Sequence, residues 1–259
     1  MRDVGAYLHR IGFEAPAEPT LATLAGIVRA HLLAAPFENL DIIPLGRPIR
    51  LEPDALFDKI VQRRRGGFCY ELNGLLGFML ETIGFRVTRV SAQWPREDGT
   101  LSPVFDHIVL LVESADSPDR WLVDVGAGRS SLAFPLRFVA EKEHDLPDGG
   151  SFRFDQDGEM QRLWRRDGDE DWQHVYSFTL TPRRLDDFAV RCVELQTLSD
   201  SHFTQGALCS LARPDGRITL SRDRLIVTVD GTQEDIPLDG AEETRAALWD
   251  HFGIDLTKD

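Results

Sequence analysis

The stretch GGFCYELNGLLGFMLETIG, residues 66–84, predicts a helix that begins beside a cysteine. Its apolar residues recur at spacings of three and four, at Leu72, Leu75, Leu76, Met79, Leu80 and Ile83. Gly84 then provides a stop signal. Cys69 lies three positions before Leu72, so its side chain should point inward at the helix N-terminus. Two glycines precede it and allow a tightly turned backbone. A cysteine that only fills space in a core needs none of these features.

The residues before this stretch also have helical periodicity. Their spacing predicts helices over 4–11, 21–32 and roughly 54–64, the second with Thr20 as its N-cap. Residues 1–85 are therefore expected to form a helical bundle that carries Cys69.

From about residue 87 the pattern changes to short β-rich runs separated by turn residues. The runs include VTRVSAQW at 87–94, VFDHIVLLVE at 104–113, RWLVDV at 120–125, SFRF at 151–154 and VYSFTL at 175–180. They predict a central antiparallel sheet or barrel over 86–183. Beyond it, RITL, RLIVTV and the helical AEETRAALWDHFG predict a smaller α/β lid over 184–259. The expected fold class is α+β.

Composition argues against several functional classes. The net charge is −14 without a compensating basic stripe, which argues against nucleic-acid binding. No apolar run could span a bilayer, and the first residues lack the apolar segment of a secretory signal, so we expect a cytoplasmic protein without a membrane partner. Three widely spaced cysteines and seven scattered histidines argue against a disulfide framework and a structural metal site.

The position of Cys69 favours a reactive thiolate, because a helix N-terminus and a nearby imidazolium both lower a thiol pKa. His107 is the best candidate for that imidazolium, since it lies in the apolar run VFDHIVLLV, where an unpaired ring is costly. Asp124 in LVDVG needs a partner for the same reason. A hairpin with a four-residue loop at 114–117 would place His107 directly opposite Asp124.

Cys69, His107 and Asp124 are therefore predicted to be nucleophile, base and orienting group, although spacing alone does not bring the thiol to the histidine. Cys192 and Cys209 lie in strand-like runs without glycines or a helix start, so we expect core filler. The remaining histidines have helix-surface or loop contexts and are interpreted as solvated or structural, with His202 the one of most interest: His9, His31, His144, His174, His202 and His251.

These motifs resemble, in order and spacing, those of the arylamine N-acetyltransferase family over nearly the whole chain. The matching segments are PFENLDI at 36–42, RRRGGFCYELNGLL at 63–76, DHIVLLV at 106–112, WLVDVG at 121–126, SHFT at 201–204 and FGIDL at 252–256. The resemblance implies a helical bundle, a β-barrel and an α/β lid around a core similar to that of thiol proteases. It also implies ping-pong transfer of an acetyl group from acetyl-CoA to an arylamine, arylhydrazine or N-hydroxyarylamine, without a metal.

The resemblance implies roles for particular residues. The family's catalytic cysteine, histidine and aspartate fall on Cys69, His107 and Asp124. Its pocket residues correspond to Phe37 and Phe203, and Gly126 would lie near the phosphates of coenzyme A.

Other matched positions imply support for the site. Glu38, Arg64 and Asn73 occupy positions where an ion pair and hydrogen bonds would support the site.

Two features of the chain depart from the family. Members usually read DVGFG where this chain reads DVGAG, so Ala127 should enlarge the pocket. The chain also stops at Asp259, without the C-terminal extension of many members, which should open the cleft. Both departures favour a bulkier or different acyl donor or acceptor.

Three alternatives remain at this point. An amide synthase of the same superfamily would release a polyketide chain from an acyl carrier protein onto an aromatic amine, as an amide or macrolactam. A thiol hydrolase or transglutaminase-like enzyme would use water or glutamine substrates. A silent binding module would keep Cys69 structural, and its thiol would then react with iodoacetamide no faster than a denatured-state thiol.

Overall fold

The computed structural model describes residues 3–140, 142–146 and 150–257. Its N-terminal part is helical, as the periodicity predicts. The helices are α1 (Val4–Ile11), α2 (Leu21–Ala34), α3 (Pro53–Phe57), which continues into a π-helical turn (Asp58–Gln62), and α4 (Cys69–Ile83). Thr20 caps α2 by accepting a hydrogen bond from the Thr23 N–H, and Gly84 ends α4 with a φ of 117°. Both predicted helix boundaries are confirmed.

The central part is an antiparallel sheet that rolls into a nearly closed barrel. Its strands are β2 (Arg86–Gln93), β3 (His107–Glu113), β4 (Arg120–Val123), β5 (Leu136–Arg137), β6 (Glu143–Asp145), β7 (Gly150–Asp157), β8 (Met160–Asp167) and β9 (Gln173–Thr179). Within the described ranges their order is β5-β4-β3-β2-β9-β8-β7-β6. The predicted α+β class with a central barrel is confirmed.

Strand β3 lies between two hydrophobic cores. Ile108, Leu110 and Val112 pack with the helices, whereas Val109 and Leu111 face the interior of the barrel. Because both faces of the strand are covered, its sequence is apolar at consecutive positions instead of alternating. The strand therefore joins the helix that carries Cys69 to the barrel.

The C-terminal part contains α5 (Ala189–Thr197), the strands β10 (Leu208–Arg213), β11 (Gly216–Ser221), β12 (Arg224–Val229) and β13 (Thr232–Pro237), and α6 (Gly240–Phe252). Strand β1 (Phe37–Glu38) pairs with β10 at one edge of this sheet, whose order is β1-β10-β11-β12-β13. The segment before Cys69 is thus tied to the C-terminal sheet. The domain boundaries near residues 85 and 183 stay predictions.

One of the two cysteines predicted to be core filler has surroundings that differ from the sequence prediction. Cys192 is buried on helix α5, so its assignment to a strand-like run is wrong. Val190 and Val193 suggest a strand, but they lie on the exposed side of the helix while Cys192 and Leu195 face inward. Cys209 does lie in a strand, β10, and is fully buried.

His31 is also fully buried, so its predicted helix-surface or loop context is wrong, although a structural role fits. The Tyr7 hydroxyl lies 2.9 Å from its Nδ1. Burial lowers the pKa of His31 to about 3, which keeps the ring neutral and able to accept this hydrogen bond.

Across the described ranges, the helices lack the length and apolar character that crossing a bilayer requires.

Candidate active site

Cys69 is the first residue of α4, and the two glycines before it allow another segment to approach closely. A Cβ at Gly66 would lie 1.8 Å from the carbonyl oxygen of Pro36. The Gly67 N–H donates to that same oxygen at 3.2 Å, and the Glu38 N–H donates to the Gly67 carbonyl at 3.0 Å. Gly66 is thus required for the close approach that places residues 36–38 beside Cys69.

The ring of His107 is held by a carboxylate and two aromatic rings. Its Nε2 lies 2.8 Å from Asp124 Oδ2, and both side chains are buried. Trp94 and Tyr176 pack against the imidazole, with ring centroids 4.8 and 5.6 Å away. His107 therefore has one defined orientation.

The predicted register between these two residues is wrong by two positions. In the structure Leu110 pairs with Val123 and Leu111 with Leu122, and the connection runs over residues 114–119 instead of 114–117. His107 is therefore diagonal to Asp124 and not directly opposite it. The two side chains still meet because an even shift keeps them on the same face of the sheet.

The second oxygen of Asp124 is also occupied. Its Oδ1 accepts hydrogen bonds from Asn73 Nδ2 at 2.8 Å and from the Gly126 N–H at 2.9 Å. Asn73 also donates to the Ile108 carbonyl at 2.8 Å and accepts from the Val125 N–H at 3.0 Å. A single amide on α4 therefore positions both β3 and the loop that follows β4.

Gly126 approaches the start of α4 so closely that a side chain would not fit. A Cβ there would lie 2.8 Å from both Cys69 Cα and Asn73 Nδ2. Backbone atoms cannot move aside as a flexible side chain can, so this position requires glycine. The residues that follow it line a cavity in front of Cys69.

The predicted partner of Glu38 is wrong by one residue. Arg64 is exposed and has a φ of 55°, whereas Arg65 is buried and pairs with Glu38 through both Nε and Nη2 at 3.1 Å. The left-handed backbone at Arg64 turns the chain after the π-helical turn, and the next side chain enters the core. The sequence RRR offers three equivalent candidates, and only the tertiary turn distinguishes them.

The Glu38–Arg65 pair belongs to a buried charge cluster, which comprises Glu38, Asp41, Lys59, Arg65 and Glu71. Lys59 Nζ lies 2.6 Å from Asp41 and 2.8 Å from Glu71. Glu71 Oε2 accepts a hydrogen bond from the Phe68 N–H at 3.1 Å, which joins the cluster to the first turn of α4. Burial raises the pKa of Glu71 to about 7, and Lys59 opposes this shift.

A cavity of about 450 Å³ opens in front of Cys69. Its lining includes Cys69, His107 and the four residues that the resemblance implied for the pocket and the coenzyme: Phe37, Gly126, Ala127 and Phe203. Phe37 and Phe203 face each other with ring centroids 6.1 Å apart. The structure therefore brings all of these residues together.

Several lining residues were missed by the sequence analysis: Trp94, Asp106, Arg129, Ser130, Leu195 and Leu208. His202, singled out as the most interesting remaining histidine, also lines the cavity. Asp106 had a sequence signal, since it stands directly before His107 at the start of an apolar strand. Leu195 had none, because helix α5 was itself not predicted.

The pKa of the Cys69 thiol differs from the expectation. Burial raises it well above the ordinary value, and the charges of Asp106 and Asp124 act in the same direction. The N–H of Tyr70 has the opposite effect. The expected lowering by the helix N-terminus is therefore outweighed in the resting site, because burial of the thiol has the larger effect on its pKa. A thiolate here requires a proton acceptor in the same cavity, and His107 is such a group.

Metal ligation is not indicated within the part of the chain that the structure describes, where no group of three or more His, Cys, Asp or Glu side chains could hold an ion.

Comparisons with known proteins agree over the whole length. Residues 20–259 match the sequence profile described as N-acetyltransferase. The chain is 40% identical over 261 residues to an arylamine N-acetyltransferase from Mycolicibacterium smegmatis, covering 98% of this chain and 92% of that protein. A solved M. smegmatis arylamine N-acetyltransferase has a TM-score of 0.91 at 39% identity, covering 100% and 94% of the two chains. The Mycobacterium marinum arylamine N-acetyltransferase in complex with CoA has a TM-score of 0.88 at 35% identity, covering 99% and 94%.

Proposed function

The chain belongs to the arylamine N-acetyltransferase family, and we propose that Cys69 is the residue that carries the acetyl group in its reaction. It is an enzyme that moves an acetyl group from acetyl-CoA to an aromatic amine. The observation that carries the proposed role is the single cavity shared by the Cys69 thiol and an imidazole that Asp124 orients at 2.8 Å. Arylhydrazines and N-hydroxyarylamines are proposed as further acceptors.

In the first half-reaction His107 takes the proton of the Cys69 thiol, and Asp124 stabilises the imidazolium that results. The sulfur attacks the thioester carbonyl of acetyl-CoA and a tetrahedral oxyanion forms. The N–H of Cys69 is a donor for that oxyanion, because the first N–H groups of a helix have no partner within the helix. The carbon–sulfur bond to coenzyme A then breaks, His107 returns its proton to the departing thiolate, and acetyl-Cys69 remains.

In the second half-reaction the neutral amine attacks the acetyl carbonyl. His107 accepts the proton of the amine and returns it to the Cys69 sulfur as the amide leaves. An aromatic amine suits this site because it is unprotonated, and thus nucleophilic, at neutral pH. The donor product leaves before the acceptor reacts, so the kinetics are ping-pong.

The loop after Asp124 is the proposed contact with the coenzyme. The Gly126 N–H already donates to Asp124 Oδ1, so its contribution is close approach of the backbone and not a free donor. Arg129 adds a positive charge to the cavity lining in a chain whose net charge is −14. Local groups of this kind are needed because the overall field repels phosphates.

The comparisons do not favour the amide synthase alternative, since the curated relatives are named arylamine N-acetyltransferases. The small side chain of Ala127 in the cavity lining supports a bulkier acceptor instead.

Intact-mass spectrometry tests the proposal directly. The protein is mixed with acetyl-CoA, with and without excess 4-methoxyaniline. We expect one acetyl group, located on Cys69 by peptide mapping, which disappears when the amine is added. Cys69→Ala should form no adduct and show no turnover. Cys192→Ala serves as a matched control, since Cys192 is buried outside the cavity lining, and it should retain acetylation.

Turnover by Cys69→Ala near the wild-type rate would contradict the proposal. A Cys69 that reacts rapidly with iodoacetamide but takes no acetyl group would instead mean that the donor is wrong. Carrier-bound acyl chains would then be the donors to test.

A further inference from the structure

Asp106 lines the same cavity as Cys69, yet no step of the proposed reaction uses it. It directly precedes His107, and its side chain is 10% exposed. Arg191 on α5 donates to it from Nε at 2.8 Å and lies at 2.7 Å through Nη2, and both contacts are to Oδ1. Among the described residues, Oδ2 has no hydrogen-bond partner. One oxygen of Asp106 is therefore anchored while the other is left to accept a hydrogen bond.

The positive charge of Arg191 does not cancel the negative charge around Asp106. Arg191 also donates from Nη1 to Glu194 at 2.9 Å, so one guanidinium is shared between two carboxylates. The three groups together carry one net negative charge. Because Arg191 is held at both ends, it is not free to turn toward a bound anion.

The negative charge of Asp106 acts on the reacting atoms. After burial, it is the largest cause of the raised thiol pKa of Cys69, ahead of the charge of Asp124. Much of the remaining lining is apolar or aromatic and includes Phe37, Trp94, Ala127, Leu195, Phe203 and Leu208. Low-polarity walls strengthen the field of a charge inside a cleft. A ligand that enters this cavity therefore meets the fixed negative charge of Asp106 in a largely apolar enclosure, whose lining also includes the positive charge of Arg129.

Resting on the proposed function, we propose that Asp106 selects the acceptor: it favours aromatic amines that carry a positively charged or hydrogen-bond-donating substituent over those that carry a carboxylate. A donor on the substrate can bond Oδ2, which has no hydrogen-bond partner among the described residues. A carboxylate at the same place brings two like charges together, and polar sites discriminate strongly against such mismatches.

The test uses three acceptors of nearly equal shape: 4-aminobenzamidine (cationic), 4-aminobenzamide (neutral) and 4-aminobenzoate (anionic). The values of kcat/KM are measured at pH 7 with acetyl-CoA for the wild type, Asp106→Asn and Arg191→Met. The readout is the ratio of the cationic to the anionic acceptor within each variant, divided by the wild-type ratio. This division cancels the intrinsic reactivity of each amine and any general loss of activity.

The two variants should move this ratio in opposite directions. Asp106→Asn removes the negative charge and keeps Arg191, so the ratio should fall by about tenfold. Arg191→Met removes the positive charge and keeps Asp106, so the ratio should rise by a few fold. A purely structural role of the ion pair, as a clamp between α5 and β3, would change both ratios in the same direction or leave both unchanged.

Ratios that move together, or that stay at the wild-type value, overturn the proposal for Asp106 while leaving acetyl transfer intact. If Asp106→Asn does not fold, Arg191→Met decides the matter, because the ratio must still rise. If wild type acetylates 4-methoxyaniline but none of the three amines, the selectivity of Asp106 is overturned while acetyl transfer stands. If it acetylates none of the four, the proposed function itself fails.

Discussion

Asn73 Nδ2 lies 2.8 Å from Asp124 Oδ1, and this contact joins the helix that carries Cys69 to the carboxylate that orients His107. Asn73 stands four residues after Cys69, on the same face of α4. Its amide also bonds the Ile108 carbonyl and the Val125 N–H. The positions of Cys69, His107 and Asp124 are thus set by one side chain that contacts three segments of the chain.

Asp124→Asn should lower the rate of acetyl transfer by about 10³-fold or more, because an amide cannot stabilise the imidazolium of His107. The change is nearly isosteric, so the fold should be kept. Single-turnover acetylation by acetyl-CoA measures the loss. Asp171→Asn, an exposed aspartate in a loop, is the matched control and should behave as wild type. A rate for Asp124→Asn within a few fold of wild type would show that the carboxylate does not orient His107.

Arg65→Gln should destabilise the protein by about 3–5 kcal/mol, because it leaves Glu38 buried without its main partner. Arg64→Gln alters the adjacent exposed arginine and should change the free energy of unfolding by less than about 0.5 kcal/mol. Urea unfolding of both variants measures the difference. Equal destabilisation by the two substitutions would contradict the pairing of Arg65, and not Arg64, with the buried Glu38.

Glu71 should make stability depend on pH. Burial raises its pKa from 4.5 to about 7, so between these values the folded protein holds a proton that the unfolded chain has released. The contribution of Glu71 to stability is therefore present at low pH, falls as the pH rises from about 4.5 to about 7, and is constant above that.

Glu71→Gln removes this titration, so it provides the comparison. The free energy of unfolding of wild type minus that of Glu71→Gln should decline across the same pH window, and chemical denaturation at several pH values measures it. A difference in the free energy of unfolding that is flat, or that increases with pH, would contradict the raised pKa of the Glu71 carboxyl group.

Ala127→Phe should narrow the cavity of about 450 Å³ in front of Cys69. We expect kcat/KM for the bulky acceptor 2-aminofluorene to fall by about tenfold, while that for 4-methoxyaniline changes much less. Ala127→Gly, which adds no volume, is the control and should retain activity toward both amines. An equal loss for both acceptors after Ala127→Phe would mean that residue 127 does not limit acceptor size.

The features that were predicted correctly depend on local pattern. Helix α4 begins at Cys69 and ends at Ile83, before the left-handed Gly84, because apolar spacing and a glycine cap act within a few residues. The contact between His107 and Asp124 was predictable because two buried polar groups on neighbouring apolar strands need each other.

The features that were missed depend on contacts between distant segments. Cys192 lies on a helix although its neighbours Val190 and Val193 favour a strand, because the inward side of that helix is buried against the N-terminal core. Strand β8 was not predicted, because arginines interrupt its apolar pattern. Arg162 and Arg165 instead lie over the rings of Trp164 and Phe152, at 5.7 and 5.5 Å.

The sequence by itself determined the α+β class, the family, and the cysteine, histidine and aspartate that meet beside one cavity, because periodicity and ordered motifs record them locally. Only the tertiary structure decided the hairpin register, the choice of Arg65 over Arg64 as the partner of Glu38, and the raised thiol pKa of Cys69. Each of these depends on which groups the fold brings together and on how completely it removes them from water. Residue spacing specifies neither the contacts nor the burial.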